Sequence, residues 1–207
     1  MKKIIPLILF FSGFFSVAHS QIFTDSIPES NYNVYSSLVE KGVSMLCDEM
    51  TVIGRDKIFF IEDMKTSDEV GFICDKLKNK MRDFKIVGNN LMPDSSYVIK
   101  FSGIKFETKY SNIKKSSLIK RELGREILVK FQCKIYFRDS LVYSYYFNDK
   151  SDSKFDFTYL NYVEAGDRQF LKGEVPEATF RDKYITPIVV ISASVIAVIL
   201  FFVIRSK

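Results

Sequence analysis

The stretch REILVKFQCKIYFRDSLVYSYYF, residues 125–147, decides the fold of this 207-residue chain. In its first part, apolar side chains alternate with polar or charged ones, at Val129, Phe131, Cys133, Ile135 and Phe137. A period of two is typical of a strand that buries one face. Because a tight turn at 138–140 would lead straight into a second aromatic strand, the stretch predicts a long antiparallel hairpin.

Two further strands are predicted next to this hairpin. The segment YVIKFSGIKFETKY, residues 97–110, also alternates, and its phase slips at Ser102 and Gly103. A β-bulge explains such a slip. Aromatic residues predict another strand over 155–162. Together these strands predict an antiparallel meander with one face against helices.

The first half of the chain has a helical period instead. Apolar residues recur at helical spacing in two segments, at Tyr35, Leu38, Val39, Gly42, Val43, Leu46, Cys47 and Met50, and at Val70, Ile73, Cys74, Leu77 and Met81. Gly54 ends the first helix, and Thr66-x-x-Glu69 is a capping-box pattern for the second. Short apolar runs at 58–61 and 84–88 predict buried strands. We therefore predict an α+β fold, with two amphipathic helices packed on a mainly antiparallel sheet.

The carboxyl-terminal region predicts a membrane anchor. Residues 185–204 carry no charge, and as a helix they would rise about 30 Å, the thickness of a bilayer's hydrocarbon core. We predict one transmembrane helix there, followed by a cytoplasmic tail at 205–207. The basic tail agrees with the positive-inside tendency.

The amino-terminal region has the pattern of a cleaved signal peptide over residues 1–20. Lys2 and Lys3 precede an apolar run at 4–17, which ends in Ala18-x-Ser20. The predicted organisation is then an extended leader at 21–33, an extracytoplasmic domain at 34–165 and a juxtamembrane tether at 166–184. The absence of any Asn-x-Ser/Thr sequon favours the bacterial inner membrane with a periplasmic domain, while a eukaryotic type I protein stays open.

Composition excludes several classes of function. Of 30 Lys and Arg residues, four lie in the two end segments, which leaves 26 against 25 acidic residues, so a nucleic-acid-binding surface is not predicted. The only histidine, His19, lies in the predicted signal peptide, so the mature chain has no imidazole for a Ser-His-Asp triad, a Cys-His pair or a zinc site. We predict no catalytic residues, no cofactor and no metal, and hence a protein that is not an enzyme. The spacing of Asp149, Asp152 and Asp156 is not that of a calcium loop.

The three cysteines leave alternatives open. Cys47 and Cys74 lie on the apolar stripes of the predicted helices, and Cys133 lies on the apolar face of a strand. These positions favour buried free thiols. A disulfide between Cys47 and Cys74 is the alternative, because the two helices could pack together, and a reactive thiol is a third.

Two groups of residues are candidate contact sites. A basic stretch could meet anionic lipid, glycan or an acidic partner, through Lys114, Lys115, Lys120, Arg121 and Arg125. An aromatic stretch could line an edge used by a partner strand, through Tyr143, Tyr145 and Tyr146.

The order of elements resembles the small α+β domain of the curli-secretion-channel superfamily. The order is an amphipathic helix, the strand KIFFIED (57–63), the helix SDEVGFICDKLKNKMRDF (67–84), the short strand KIVG (85–88) and long antiparallel strands. The amino-terminal domain of the Tol translocation protein and lipoprotein activators of penicillin-binding proteins look similar over residues 34–149. The resemblance implies protein contacts and assembly into rings or complexes, without catalytic residues. This chain departs from it at Glu62 and Asp63, where those domains often have a proline and an aromatic residue. It also has a membrane helix where they have a lipidated cysteine.

The sequence therefore predicts a single-pass, membrane-anchored interaction or assembly module of the cell envelope. Its predicted partner is another envelope protein or a second copy of the chain, and nucleic acid is not a predicted partner. The alternative function is binding of anionic lipid or glycan through the basic stretch.

Overall fold

The computed structural model describes residues 27–62, 67–87, 95–113, 121–178 and 180–205. The longer elements, in chain order, are α1 (Asn31–Ile53), β1 (Ile58–Ile61), α2 (Asp68–Lys80), β2 (Lys85–Val87), β3 (Tyr97–Asn112), β4 (Glu122–Phe137), β5 (Ser140–Asp156), α3 (Leu160–Val163) and α4 (Thr186–Arg205). Short turns of other helical types lie at Phe157–Tyr159, Gln169–Leu171 and Arg181–Ile185. The predicted signal peptide lies outside the described residues.

Helix α1 confirms the first predicted stripe. Every residue of that stripe is buried, and the helix ends at Gly54, whose φ of 124° suits glycine. Ser30 begins the helix, since its Oγ accepts a hydrogen bond from the amide of Asn33 at 3.3 Å. In α2 the capping residue is Ser67 and not Thr66, which lies outside the described residues; Ser67 Oγ accepts from the amide of Val70.

The sheet is five-stranded and mixed, with the order β2-β1-β3-β4-β5. The pairs β3–β4 and β4–β5 are antiparallel, as predicted, but β1 lies parallel to both β2 and β3. The prediction of a mainly antiparallel sheet therefore holds for the three long strands only. Helix α2 causes the difference for β1 and β2, because a helical crossover returns the chain in the same direction.

The predicted hairpin and bulge are both present. Arg138 and Asp139 have φ values of 48° and 64°, so they form the two-residue turn with positive φ at both positions that matches the twist of a hairpin. The register between β3 and β4 shifts between Ser102 and Lys105, which confirms the bulge.

Strand β5 is longer than predicted, and the separate strand predicted at 155–162 is wrong. The polar run after Phe147 continues the strand to Asp156, and helical turns follow at Phe157–Tyr159 and Leu160–Val163. Asp156 ends the strand because its Oδ1 accepts from the amide of Thr158 at 2.9 Å. The polar run has no apolar alternation because β5 buries few of its side chains.

The core lies between the sheet and the two long helices. Its largest fully buried side chains include Tyr35, Phe59, Phe72 and Phe131. Phe170 and Leu171 are also part of this core, although they belong to the stretch predicted as a tether. The folded domain thus uses residues on both sides of 34–165, beginning at Asn31.

All three cysteines are buried and free, which confirms the first of the three interpretations. Burial raises the pKa of the Cys47 thiol and of the Cys74 thiol to about 11, and it raises the pKa of Cys133 as well. Thiols of this kind are mostly protonated at neutral pH, and the thiolate is the reactive form.

We expect the folded chain to resist thiol reagents. At pH 8, Ellman's reagent should label Cys47 and Cys74 at least about a hundredfold more slowly than an exposed cysteine, because a raised pKa lowers the thiolate fraction and burial blocks access. In denaturant without reductant, all three thiols should react at once. Rapid labelling of the folded protein, or a missing pair of thiols in denaturant, would contradict this account.

The carboxyl-terminal helix has the properties predicted for an anchor. Residues Lys183–Ile204 form a helix of 22 residues that is long and apolar enough to cross a membrane, and none of that span is buried inside the protein. An unburied apolar helix of this length is not explained by packing in the domain.

Candidate functional site

The sheet ends in two edge strands of very different length. Strand β2 has three residues, whereas β5 has 17 and pairs only with β4 among the residues that the structure describes. An edge strand presents unpaired backbone amides and carbonyls, which can pair with a strand from another chain. The long outer edge of β5 is therefore a candidate binding surface.

By contrast, the chain itself covers the carboxyl-terminal part of the outer edge of β3. Strand β1 pairs with β3 as far as Ile99, and residues 170–177 contact β3 from Thr108 to Asn112. Thr108 Oγ1 donates to the carbonyl of Phe170 at 3.1 Å, and Asn112 Nδ2 donates to the carbonyl of Glu177 at 2.8 Å. Covering an edge with a chain segment is one way in which proteins prevent unwanted pairing.

The outward-facing backbone groups of β5 follow from the ladder. The amide of Phe157 donates to the carbonyl of Arg121 at 2.8 Å, just beyond the end of the β4–β5 pairing. Because hydrogen-bonded pairs alternate in an antiparallel ladder, odd-numbered residues in 143–155 bond to β4 and even-numbered residues face outward. The amide of Lys150 donates to the carboxylate of Asp149 at 2.9 Å, as expected of an outward amide.

Within the part of the chain that the structure describes, only the middle of this edge lacks protection. Ile135 pairs with Tyr143 and Tyr136 pairs with Leu141, so Val142 is an extra residue that bulges the strand near the turn. The far half carries alternating charges, at Asp149, Lys150, Asp152 and Lys154. Bulges and charges both discourage strand addition. Residues 143–148 have neither, and we call them the open edge.

The three tyrosines of the aromatic stretch all lie on this open edge, but on two faces. Tyr143 and Tyr145 are half-buried against the core on the helix side, and burial raises the pKa of both phenols. Tyr145 Oη donates to the sulfur of Met45 on α1 at 3.5 Å. Tyr146 lies on the opposite face and is 60% exposed. A strand added here would find apolar surface on both faces.

The helix side of the open edge includes Met45, which sequence reasoning missed. Its side chain is 48% exposed at the surface of α1 and contacts Tyr145. Methionine is flexible and adapts to different apolar partners. The sequence signal was present, since Met45 lies just outside the buried stripe of α1, but its closeness to Tyr145 depends on the tertiary fold.

The structure does not bring the basic stretch together as one surface. Lys114, Lys115 and Lys120 lie outside the described residues. Arg121 Nη2 donates to Asn112 Oδ1 at 3.1 Å and to the carbonyl of Pro176 at 2.5 Å, and its guanidinium stacks on a neighbouring ring. That side chain therefore has internal partners.

Arg125 is buried, with only 5% of its surface exposed. Its Nη1 donates to the carbonyl of Glu29 at 2.6 Å and to Asn31 Oδ1 at 3.0 Å, and its Nε donates to Ser153 Oγ at 2.8 Å. Burial lowers the pKa of this guanidinium. Arg125 joins the start of α1 to β4 and β5, so it contributes to the fold and not to an exposed basic surface.

Asn31 completes this buried polar network. Its Nδ2 donates to Tyr110 Oη at 2.8 Å and to the carbonyl of Leu171 at 2.6 Å. The network thus joins α1, β3, β4 and the segment that covers β3. Buried polar groups are stable only when their partners are present, so these contacts fix the covering segment in place.

The acidic residues of β5 have separate partners. Asp149 Oδ2 lies 2.6 Å from Lys41 Nζ, and this interaction lowers the pKa of the carboxyl. Asp152 pairs with Lys150 at 3.3 Å, and Asp156 caps the turn after the strand. Among the described residues, no cluster of three or more His, Cys, Asp or Glu side chains could hold a metal ion.

Comparison with known proteins leaves the family of this chain open. No protein-family model and no curated protein matches it. A solved structure of a minor lipoprotein from Acinetobacter baumannii matches with a TM-score of 0.32 and 10% sequence identity. The match covers 49% of this chain and 66% of that one, just under two thirds of the lipoprotein's length. A TM-score this low shows neither a shared fold nor a shared function.

Proposed function

We propose that this protein is a single-pass, membrane-anchored module of the cell envelope that binds a protein partner by strand addition at the open edge of β5. The partner is another envelope protein or a second copy of the chain. The protein has no catalytic role in this proposal. The signal peptide at 1–20 and the helix at 185–204 would place the domain on the periplasmic side of a bacterial inner membrane.

One observation carries the proposal: the chain covers part of the free edge of β3 with its own residues but leaves the middle of β5 uncovered. Residues 170–177 lie against β3 from Thr108 to Asn112, and a bulge and charges protect the ends of β5, yet 143–148 stays uncovered within the described structure. Those residues offer outward backbone groups at Ser144, Tyr146 and Asn148, together with aromatic side chains on both faces. Extended peptides bind sheet edges through this combination of main-chain hydrogen bonds and side-chain contacts.

In-cell photo-cross-linking of the full-length protein tests the proposal. A photoreactive residue at Tyr146 should capture one recurrent protein, or a second copy, because an added strand would lie about 5 Å away. The matched control is Ser102, on the same face but two strands further from the edge, and it should capture much less. Equal capture from both positions, or none from Tyr146, would overturn the proposal.

The alternative function, binding of anionic lipid or glycan through the basic stretch, stays a prediction. Two of its five residues, Arg121 and Arg125, have partners inside the domain. A different set of cations lies on the sheet, either exposed or half-buried.

A further inference from the structure

The face of the sheet that is turned away from the helices carries two pairs of directly opposed lysines. Lys100 on β3 lies opposite Lys134 on β4, and Lys105 lies opposite Lys130. Side chains at opposed positions have Cβ atoms about 5 Å apart, and like charges there destabilise a sheet. We call these four residues the lysine face. A fold gains nothing from such pairs, so they need an explanation.

Nearby carboxylates form ion pairs with the two lysines on β3 but not with the two lysines on β4. Glu62 lies 2.6 Å from Lys100, and Glu107 lies 3.0 Å from Lys105. Within the described part of the chain, no carboxylate lies within the 4.0 Å ion-pair distance of Lys130 or Lys134. Two other acidic side chains on this face, Glu126 and Asp152, both pair with Lys150 at 3.3 Å.

A polar row separates the two lysine pairs. Ser102, Gln132 and Tyr146 lie side by side across three strands. Ser102 Oγ and Gln132 Oε1 are 3.4 Å apart, and Gln132 Nε2 donates to Ser144 Oγ at 3.2 Å. The two lysine pairs are four residues apart on β4, which is about 13 Å along the strand. Along the strands, the surface therefore presents one lysine pair, then a row of hydrogen-bonding groups, then the second lysine pair.

We propose that the lysine face binds an anionic polysaccharide. Carboxylate or phosphate groups of the polymer would lie at the two lysine pairs, where charge-assisted hydrogen bonds are strong. Sugar hydroxyls would meet Ser102 and Gln132, and a sugar ring would lie against the exposed ring of Tyr146. This site is distinct from the proposed open edge, although Tyr146 borders both.

Two features favour a polysaccharide over other polyanions. Ser102 and Gln132, which lie between the two lysine pairs, are polar, whereas peripheral lipid binding usually requires apolar side chains that enter the bilayer. The backbone groups of β3 and β4 are used in the sheet, so an acidic peptide could not add as a strand there. A hydroxyl-rich polymer needs only the side chains that this face offers.

The test uses the full-length protein in neutral detergent micelles, with polygalacturonate as the probe. The double variant Lys130→Gln/Lys134→Gln should bind at least about tenfold more weakly, since it loses two charge-assisted contacts. Its melting temperature should rise by about 1–3 °C, because the like-charge pairs are gone. The matched control, Lys78→Gln/Lys80→Gln on α2, makes the same change in charge and should keep full affinity. Lys130→Arg/Lys134→Arg should also keep binding.

Two further probes separate other sources of negative charge. Inorganic phosphate should compete only weakly, and phosphatidylglycerol vesicles should bind the wild type and the double variant equally. The proposal is overturned if polygalacturonate binds the double variant as well as the wild type, or if neither protein binds it. It is also overturned if only the vesicles distinguish the two proteins, which would make the face a lipid site.

Discussion

Replacing Gly42 with valine is expected to lower the free energy of unfolding by about 3 kcal/mol. A Cβ atom at this position would lie 2.8 Å from Cζ of Phe131 and 2.9 Å from Cγ of Phe147. Both rings are buried where α1 packs against β4 and β5, and close-packed cores do not absorb added atoms without strain. Glycine is required here because the helix approaches the sheet closely.

Urea unfolding of the full-length protein in micelles, followed by circular dichroism, measures this effect. Ser37→Val is the control, because it places the same β-branched residue at an exposed position of α1 and should cost less than about 0.7 kcal/mol. A Gly42→Val variant as stable as the control would show that α1 is further from the sheet than described. Because Phe147 belongs to β5, that result would also weaken the description of the open edge.

Two serine-to-proline substitutions in β5 are expected to have opposite consequences. The amide of Ser151 faces β4 opposite Ile127, so Ser151→Pro removes a ladder hydrogen bond and should cost about 2–4 kcal/mol. The amide of Ser144 faces outward, so Ser144→Pro should change the free energy of unfolding by less than about 1 kcal/mol. Proline is tolerated on an edge strand only where its missing amide faces solvent.

The same pair distinguishes stability from binding. Ser144→Pro should leave a folded domain that no longer accepts a strand, because proline removes a donor from the open edge. Chemical unfolding measures the stability of each variant, and cross-linking in cells measures its binding to the partner. If both prolines were equally destabilising, the assignment of inward and outward amides along β5 would be wrong.

The helices and the hairpin were predictable because burial imposes a period on the sequence. Burial of one face of α1 produces the apolar stripe that includes Leu38 and Met50. Burial of one face of β4 produces the alternation that includes Phe131 and Ile135. The buried state of the three cysteines followed from the same patterns. The turn at Arg138 was predictable from its place between two alternating segments, even though Arg-Asp is an unusual pair for positive φ.

The rest was not predictable because it depends on contacts between distant residues. The polar second half of β5 has no hydrophobic signal, and its pairing with β4 gives it the strand conformation. Phe170 and Leu171 stood in a segment without a period, and only contacts with Asn31 and Thr108 fix them in the core. Arg125 looked like part of a basic stretch, and its burial follows only from its contacts with Glu29, Asn31 and Ser153.

The proposed function is therefore based on the difference between the covered part of β3 and the open edge. The open edge could not be predicted from the aromatic stretch alone. That stretch indicated Tyr143, Tyr145 and Tyr146 as candidates, but it did not indicate the direction of their backbone groups. The sheet order makes β5 an edge, and the ladder gives the outward amides. The bulge at Val142 and the charged residues after Asn148 then restrict the part of β5 that can accept a strand to residues 143–148.

The most direct test of strand addition is the cross-linking yield from a photoreactive residue at Tyr146 in cells, measured with and without Ser144→Pro in the full-length protein. We expect a single recurrent adduct with Ser144 present and its loss with Ser144→Pro, while expression and thermal stability stay unchanged. An adduct of equal yield in both proteins would contradict main-chain pairing at the open edge.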